Sequence, residues 1–106
     1  MLEKHFQRGL IKEIKKEFPD AIVMKADANY IQGIPDLLIL HKKRWAALEV
    51  KNSPSAKHQP NQDYYISKMN KMSYAAFVDP TNKAGVMNEL RKTFGSRRNS
   101  CLSRSK

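Results

Sequence analysis

Two segments hold the residues that could do chemistry. Gly33-Ile34-Pro35-Asp36-Leu37-Leu38-Ile39-Leu40 carries one acid, and Trp45-Ala46-Ala47-Leu48-Glu49-Val50-Lys51 carries an acid and a cation. Both have the apolar make-up of buried strands, so Asp36, Glu49 and Lys51 stand where apolar residues would be expected. If the two strands form a hairpin about Lys42-Lys43, His41 faces Arg44 and the same register sets Asp36 opposite Glu49. Directly opposed residues in an antiparallel pair have Cβ atoms about 5 Å apart. Lys51, two residues beyond Glu49, shares their face because side chains alternate along a strand. Two carboxylates at that spacing repel by about 3 kcal/mol at an effective dielectric of about 20. A hard divalent cation with oxygen ligands would neutralise the pair, and so would the Lys51 ammonium. Lys-Lys is a poor two-residue turn, since the favoured types want Gly, Asn or Asp at positive φ. A four-residue loop over 41–44 keeps the pairing, whereas an odd-length loop or a bulge shifts it. The competing reading is a strand-end Asp beside a snorkelling Glu–Lys pair.

The elements that must position these groups follow from periodicity. Leu2, Phe6, Leu10, Ile14 and Phe18 recur every four residues with Lys12, Lys15 and Lys16 on the far side, which predicts a helix over 2–18. Pro19-Asp20 stops it. Residues 21–25 are short and β-prone, 26–32 are a loop, and Pro35 fits only near a strand start or at an edge. After the loop 52–58, a helix is expected from Gln59 or Pro60 to Met72, with Pro60 tolerated in its first turn. Residues 74–78 predict a fourth strand. Ala84, Met87, Leu90 and Phe94 then mark a last helix that Gly95 ends. The order is helix, three strands, helix, strand, helix, an α/β chain with a mixed sheet packed by helices.

The chain has 106 residues, which suits one domain over 1–94 followed by a basic tail, 95–106, expected to be disordered. Twenty Lys and Arg face ten acids, for a net charge of +10. Arg97, Arg98, Arg104 and Lys106 of the tail leave the body at +6, so the excess is not a property of the tail alone. A basic body points to a polyanionic partner, most simply nucleic acid. No apolar run is long enough to span a membrane and no signal peptide is visible. The single cysteine, Cys101, excludes an intrachain disulfide, and a cytoplasmic setting follows by default.

Pro35-Asp36 followed by Glu49-Val50-Lys51, within an αβββαβα order, resembles the PD-(D/E)XK nuclease superfamily. Gly33-Ile34-Pro35-Asp36-Leu37, Leu48-Glu49-Val50-Lys51 and Gln62-Asp63-Tyr64-Tyr65 most resemble its small stand-alone VRR-NUC (virus-type replication-repair nuclease) proteins of phages; archaeal-type Holliday junction resolvases look similar over the same segments. The resemblance spans residues 2–94. It implies a restriction-endonuclease-like core in which Asp36, Glu49 and the Val50 carbonyl hold Mg²⁺ or Mn²⁺. It further implies that Lys51 orients or helps deprotonate the attacking water, leaving a 5′-phosphate and a 3′-hydroxyl. The chemistry needs such a set: a metal held by two carboxylates makes a nucleophile available at neutral pH, and an ammonium stabilises the anionic transition state. Gln62 lies on the apolar stripe of its helix with Tyr65, Ile66 and Met69, where it needs hydrogen-bond partners that the site face would provide. The family also has one more acid on the first helix. Glu3 and Glu13 both flank the apolar stripe, so helix geometry does not choose; the family spacing favours Glu3.

The expected function is a metal-dependent DNA endonuclease, selective for Holliday junctions or other branched DNA, acting in phage replication, recombination or repair within the host cytoplasm. Lys42, Lys43 and Arg44 at the hairpin tip, Lys57 and Tyr30 are the candidate DNA contacts. His5, His41 and His58 share no metal-ligand spacing, and His41, near the turn, is expected at the surface. Tyr64 and Tyr65 are expected in the core or an interface. A homodimer through the Tyr- and Met-rich helix would suit a four-way junction. The rivals are a nuclease for flaps, single strands or duplex DNA, a catalytically idle DNA-binding protein on the same scaffold, and an interaction module for an acidic protein.

Overall fold

The structure, a computed structural model, describes residues 2–95. The tail expected beyond Gly95, with Cys101, lies outside the described residues. The elements are α1 (Glu3–Glu17), β1 (Ile22–Lys25), β2 (Leu37–His41), β3 (Arg44–Val50), α2 (Gln62–Met72), β4 (Tyr74–Val78) and α3 (Lys83–Phe94). They form a mixed α/β unit whose sheet runs β1-β2-β3-β4, antiparallel through β3, with β4 parallel to β3. A parallel neighbour needs a long crossover, and α2 lies within it. No helix among the described residues is long and apolar enough to cross a membrane.

Strand alternation sorts the sheet into two faces. Leu37 and Ile39 of β2 and Ala46, Leu48 and Val50 of β3 join Phe6, Leu10 and Ile14 of α1 and Val86, Met87, Leu90 and Phe94 of α3 in one core. The opposite face carries Leu38, Leu40, Trp45, Ala47 and Glu49, and α2 packs there over β3 and β4. α1 and α3 are also tied by charge: Glu13 meets Lys83 at 2.9 Å and Glu17 meets Arg91 at 3.3 Å.

The hairpin has the expected register, with His41 opposite Arg44 and Leu37 opposite Leu48. Lys42 takes the positive φ (57°) that the tight turn demands despite its side chain. Gly33 decides how the β2 entrance meets the loop before α2. Its φ is +90°, and a Cβ placed there would lie 2.6 Å from the Asn61 Cβ and 2.8 Å from the Pro60 carbonyl oxygen. Only glycine accepts both the dihedral and the approach.

Several expectations are corrected. α2 begins at Gln62 rather than at Gln59 or Pro60, because Asn61 turns into the left-handed region (φ 73°) and Pro60 belongs to the preceding turn. Leu2 is 64% exposed, since it precedes the helix in an extended conformation and so leaves the stripe. Ala84 is exposed and Val86 takes its place; at 3.6 residues per turn Ala84 lies about 100° from the centre of the Val86–Met87–Leu90–Phe94 stripe. Tyr64, expected in the core or an interface, is 57% exposed on the outer side of α2, outside the core and available to an interface. His41 is buried, not superficial: the two-residue turn keeps it in the ladder, and alternation with Leu37 and Ile39 turns it inward between Phe18 and Phe94, ring centroids 5.5 and 5.3 Å away.

Candidate active site

The site sits where β2 begins and β3 ends. Asp36 directly precedes β2, and its backbone carbonyl accepts the Ala26 N–H at 2.8 Å. Its side chain reaches across the hairpin, where Oδ2 accepts the Val50 N–H at 2.9 Å. The ladder ends at Leu37–Leu48, and Asp36, one residue before it, interacts with Glu49, one residue beyond it. Glu49 and Lys51 close β3 on the α2 side of the sheet, and both are buried.

Gln62, the first residue of α2, binds the two together. Its Oε1 accepts from Lys51 Nζ at 2.8 Å and from the Gln59 N–H at 2.8 Å, while its Nε2 donates to Glu49 Oε2 at 3.0 Å. Only this amide orientation matches donor to acceptor at each contact. Lys51 Nζ also donates to the Lys57 carbonyl at 3.0 Å and lies 3.9 Å from Glu49 Oε2. The cation is therefore held by a neutral amide, a backbone carbonyl and one carboxylate oxygen, which meets the requirement that a buried charge be paired and hydrogen-bonded.

The other Glu49 oxygen, Oε1, is buried without a hydrogen-bond donor. Burial, then the negative charge of Asp36, pushes the Glu49 carboxyl up to about 8, against the pull of Lys51. Without a cation the pair holds a proton near neutrality, as expected of adjacent carboxylates. Glu3 in the first turn of α1 is also raised, by desolvation and then by Asp36, with Lys51 opposing. Glu3 is thus within electrostatic reach of the site, whereas Glu13 is engaged by Lys83.

Asp36, Glu49, Lys51 and Gln62 are brought together, with the Val50 backbone beside Asp36. The candidate DNA contacts divide. Lys57 supplies its carbonyl to Lys51, and Tyr30, 85% exposed, stands in the loop between β1 and Asp36. Lys42, Lys43 and Arg44 are exposed at the far end of the hairpin, six residues and about 20 Å from Asp36. Arg44 turns toward α3, donating to the Thr93 carbonyl at 3.5 Å. The tip cations are therefore not neighbours of the carboxylates, because the turn and the site occupy opposite ends of the same two strands.

His58 gains a place that its spacing did not suggest. It stacks on Phe77 at 4.0 Å between centroids and bonds Asp63 at 2.9 Å. Phe77 pairs with Glu49 in the sheet, so this stack holds the loop whose Lys57 carbonyl receives Lys51. In sequence the only sign is the five-residue spacing to Asp63, too general to single out.

Comparison with protein-family models, curated proteins and solved structures gives no match. The chemistry of the site itself therefore carries the reading. Its donors suit a hard divalent cation: two oxygen ligands of like charge, one with an orphaned buried oxygen. Among the described residues no group of three or more His, Cys, Asp or Glu side chains gathers about one point, so the carboxylate pair and backbone oxygen would be the protein's contribution.

Proposed function

We propose that this chain is a divalent-metal-dependent DNA endonuclease of the PD-(D/E)XK superfamily and VRR-NUC type. The observation that carries the reading is the half-buried Asp36 beside the buried Glu49, with Lys51 and Gln62 locked against Glu49. A sheet edge does not need two carboxylates at one spot, one of them raised to about 8. Such perturbation, built from burial and a like charge in a polar cluster, is characteristic of functional sites.

Asp36, Glu49 and the Val50 carbonyl would hold Mg²⁺ or Mn²⁺, which supplies an acidified water and charge compensation for the phosphoryl oxygens. Gln62 holds Glu49 by Oε2 and leaves Oε1 for a cation. Through its other end it fixes Lys51 Nζ, so the ammonium is preorganised to stabilise charge on the phosphate without reorganising during reaction. Glu3 would add negative charge at the edge of the site. Branched DNA, a Holliday junction above all, is the proposed substrate, in phage replication, recombination or repair, and a homodimer would present two sites to it.

The test is cleavage of a labelled four-way junction and a linear duplex of matched sequence in Mg²⁺ or Mn²⁺, with Asp36→Ala alongside. Junction cutting that vanishes in the variant is expected. Binding of DNA with no cutting of either substrate would instead favour an idle DNA-binding protein, and the reading would fail.

A further inference from the structure

The hairpin tip does not lie beside the carboxylates, so a strand reaching them must be guided by other cations. α1 and the edge strand β1 provide them. Lys4, Arg8 and Lys12 are exposed and spaced i, i+4, i+8, which stacks them along one flank of α1. Lys25, the last residue of β1, faces the same flank. Together with Gln7 and Ile11 they line one groove, and its neighbouring part, about 500 Å³, is lined by Glu3, Lys4, Gln7, Arg8 and Lys25. None of these four cations has an ion-pair partner among the described residues, whereas Lys83, Arg91 and Lys92 are each taken by a glutamate. The acids of α1 are segregated too. Glu13 and Glu17 face α3, and only Glu3 lies on the groove.

The groove has two links to the site, through β1 and through Glu3. Lys25 pairs with Leu37, and the Ala26 N–H binds the Asp36 carbonyl at 2.8 Å, so the backbone at the Lys25 end of the groove is joined to that of Asp36. Glu3, at its other wall, feels the charges of both Asp36 and Lys51. From Lys4 to Lys12 the stripe runs about 12 Å at 1.5 Å per residue. That is the axial length of roughly three to four nucleotides of one B-form strand.

We infer that the groove between α1 and β1, lined by Lys4, Arg8, Lys12 and Lys25, binds the phosphate backbone of the DNA strand that leads into the Asp36–Glu49 site. This rests on the nucleic-acid part of the proposed function, not on cleavage. Phosphate contacts of this kind position the strand and carry no base information. Affinity through the groove is accordingly independent of sequence and steeply dependent on salt.

The experiment compares two full-length variants that each remove two positive charges, Arg8→Gln/Lys12→Gln and Lys42→Gln/Lys43→Gln. Binding to a labelled DNA duplex is measured in EDTA across NaCl concentrations, so that no cutting intervenes. Because all four side chains are exposed, both variants should keep the wild-type melting temperature. The groove variant should lose about tenfold or more in affinity. Its log K against log [salt] slope should flatten by about 2, one unit for each phosphate that is no longer neutralised. Arg8→Gln/Lys25→Gln, which draws on two elements, should lose as much. Wild-type binding in both groove variants, with the loss confined to the tip variant, would overturn the inference and leave the nuclease reading standing. A groove-dependent affinity in a chain that cuts nothing would support the inference and overturn the nuclease. Failure of the wild-type chain to bind DNA would overturn both.

Discussion

Glu49 carries the sharpest consequence of the site's electrostatics. Its folded value of about 8 lies above the ordinary 4.5, so between those limits the native state holds a proton that the unfolded chain has released. The stability this contributes is complete below pH 4.5 and is lost as pH rises to about 8. The metal-free protein should therefore melt at progressively lower temperature from about pH 5 to about pH 8.5. Glu49→Gln, which keeps the shape and removes the titration, should flatten that dependence. Mn²⁺ should raise the wild-type melting temperature near pH 8 but not that of the variant. Thermal melts in EDTA and in Mn²⁺ at several pH values read all three effects. In the proposed reaction Lys51 would act later, on the transition state. Lys51→Ala should fold and bind DNA, with Gln62 still held by the Gln59 N–H and Glu49, while the cleavage rate falls about 10²–10³-fold. An equal loss of folding would make Lys51 a structural residue.

The elements contribute by where they end. β2 starts and β3 stops at one level of the sheet, and the first residue of α2 lands there, so three chain segments meet within hydrogen-bond reach. Gly33 controls that meeting, since its bare backbone lets the Pro60–Asn61 turn approach the entrance of β2. Gly33→Ala should cost about 1–3 kcal/mol, because it adds strain at positive φ and a clash with backbone atoms. It should also reduce cleavage by displacing Gln62. Urea denaturation with a parallel activity assay checks it; unchanged stability would mean that the turn can retreat without consequence. At the other end of the sheet, the tight turn through Lys42 keeps His41 in the ladder and the Leu37–Leu48 register in phase.

Across the whole molecule the two sheet faces are finished differently. α1 and α3 cover one face with a continuous core, but α2 covers only β3 and β4 on the other. Ile22 and Met24 of β1 stay 59% and 47% exposed on the uncovered half, and Tyr64 and Met72 are 57% and 64% exposed on α2. In the proposed dimer those side chains would offer apolar surface to a second copy of the chain. Light scattering behind gel filtration should give twice the chain mass, and a one-chain mass both free and with junction DNA bound would sink the dimer. Charge is distributed as unevenly as apolar surface, with the cations of α1 and β1 on the flank that leads to the site and its paired acids against α3.

Element order, hairpin register and the nearness of Asp36 to Glu49 were all legible in the sequence. Strand alternation and a fixed turn length are local rules that two apolar segments either satisfy or break. Gln62 was legible for a related reason: an amide on an apolar stripe must find partners. The remaining features depend on which distant surfaces meet, and these needed the folded chain. Helix geometry leaves Glu3 and Glu13 open and only the resemblance favours Glu3; the physical difference, one end of α1 near Asp36 and the other near Lys83, is a matter of tertiary placement. Burial of His41 required Phe94, fifty-three residues away in the chain. The joining of Lys25 to the α1 stripe follows from the placement of α1 beside β1, whereas the separation of Lys42, Lys43 and Arg44 from the carboxylates belongs to the hairpin itself, whose turn and site are at opposite ends. Helical periodicity shows that α1 has an apolar stripe, but not the strand its basic flank will border.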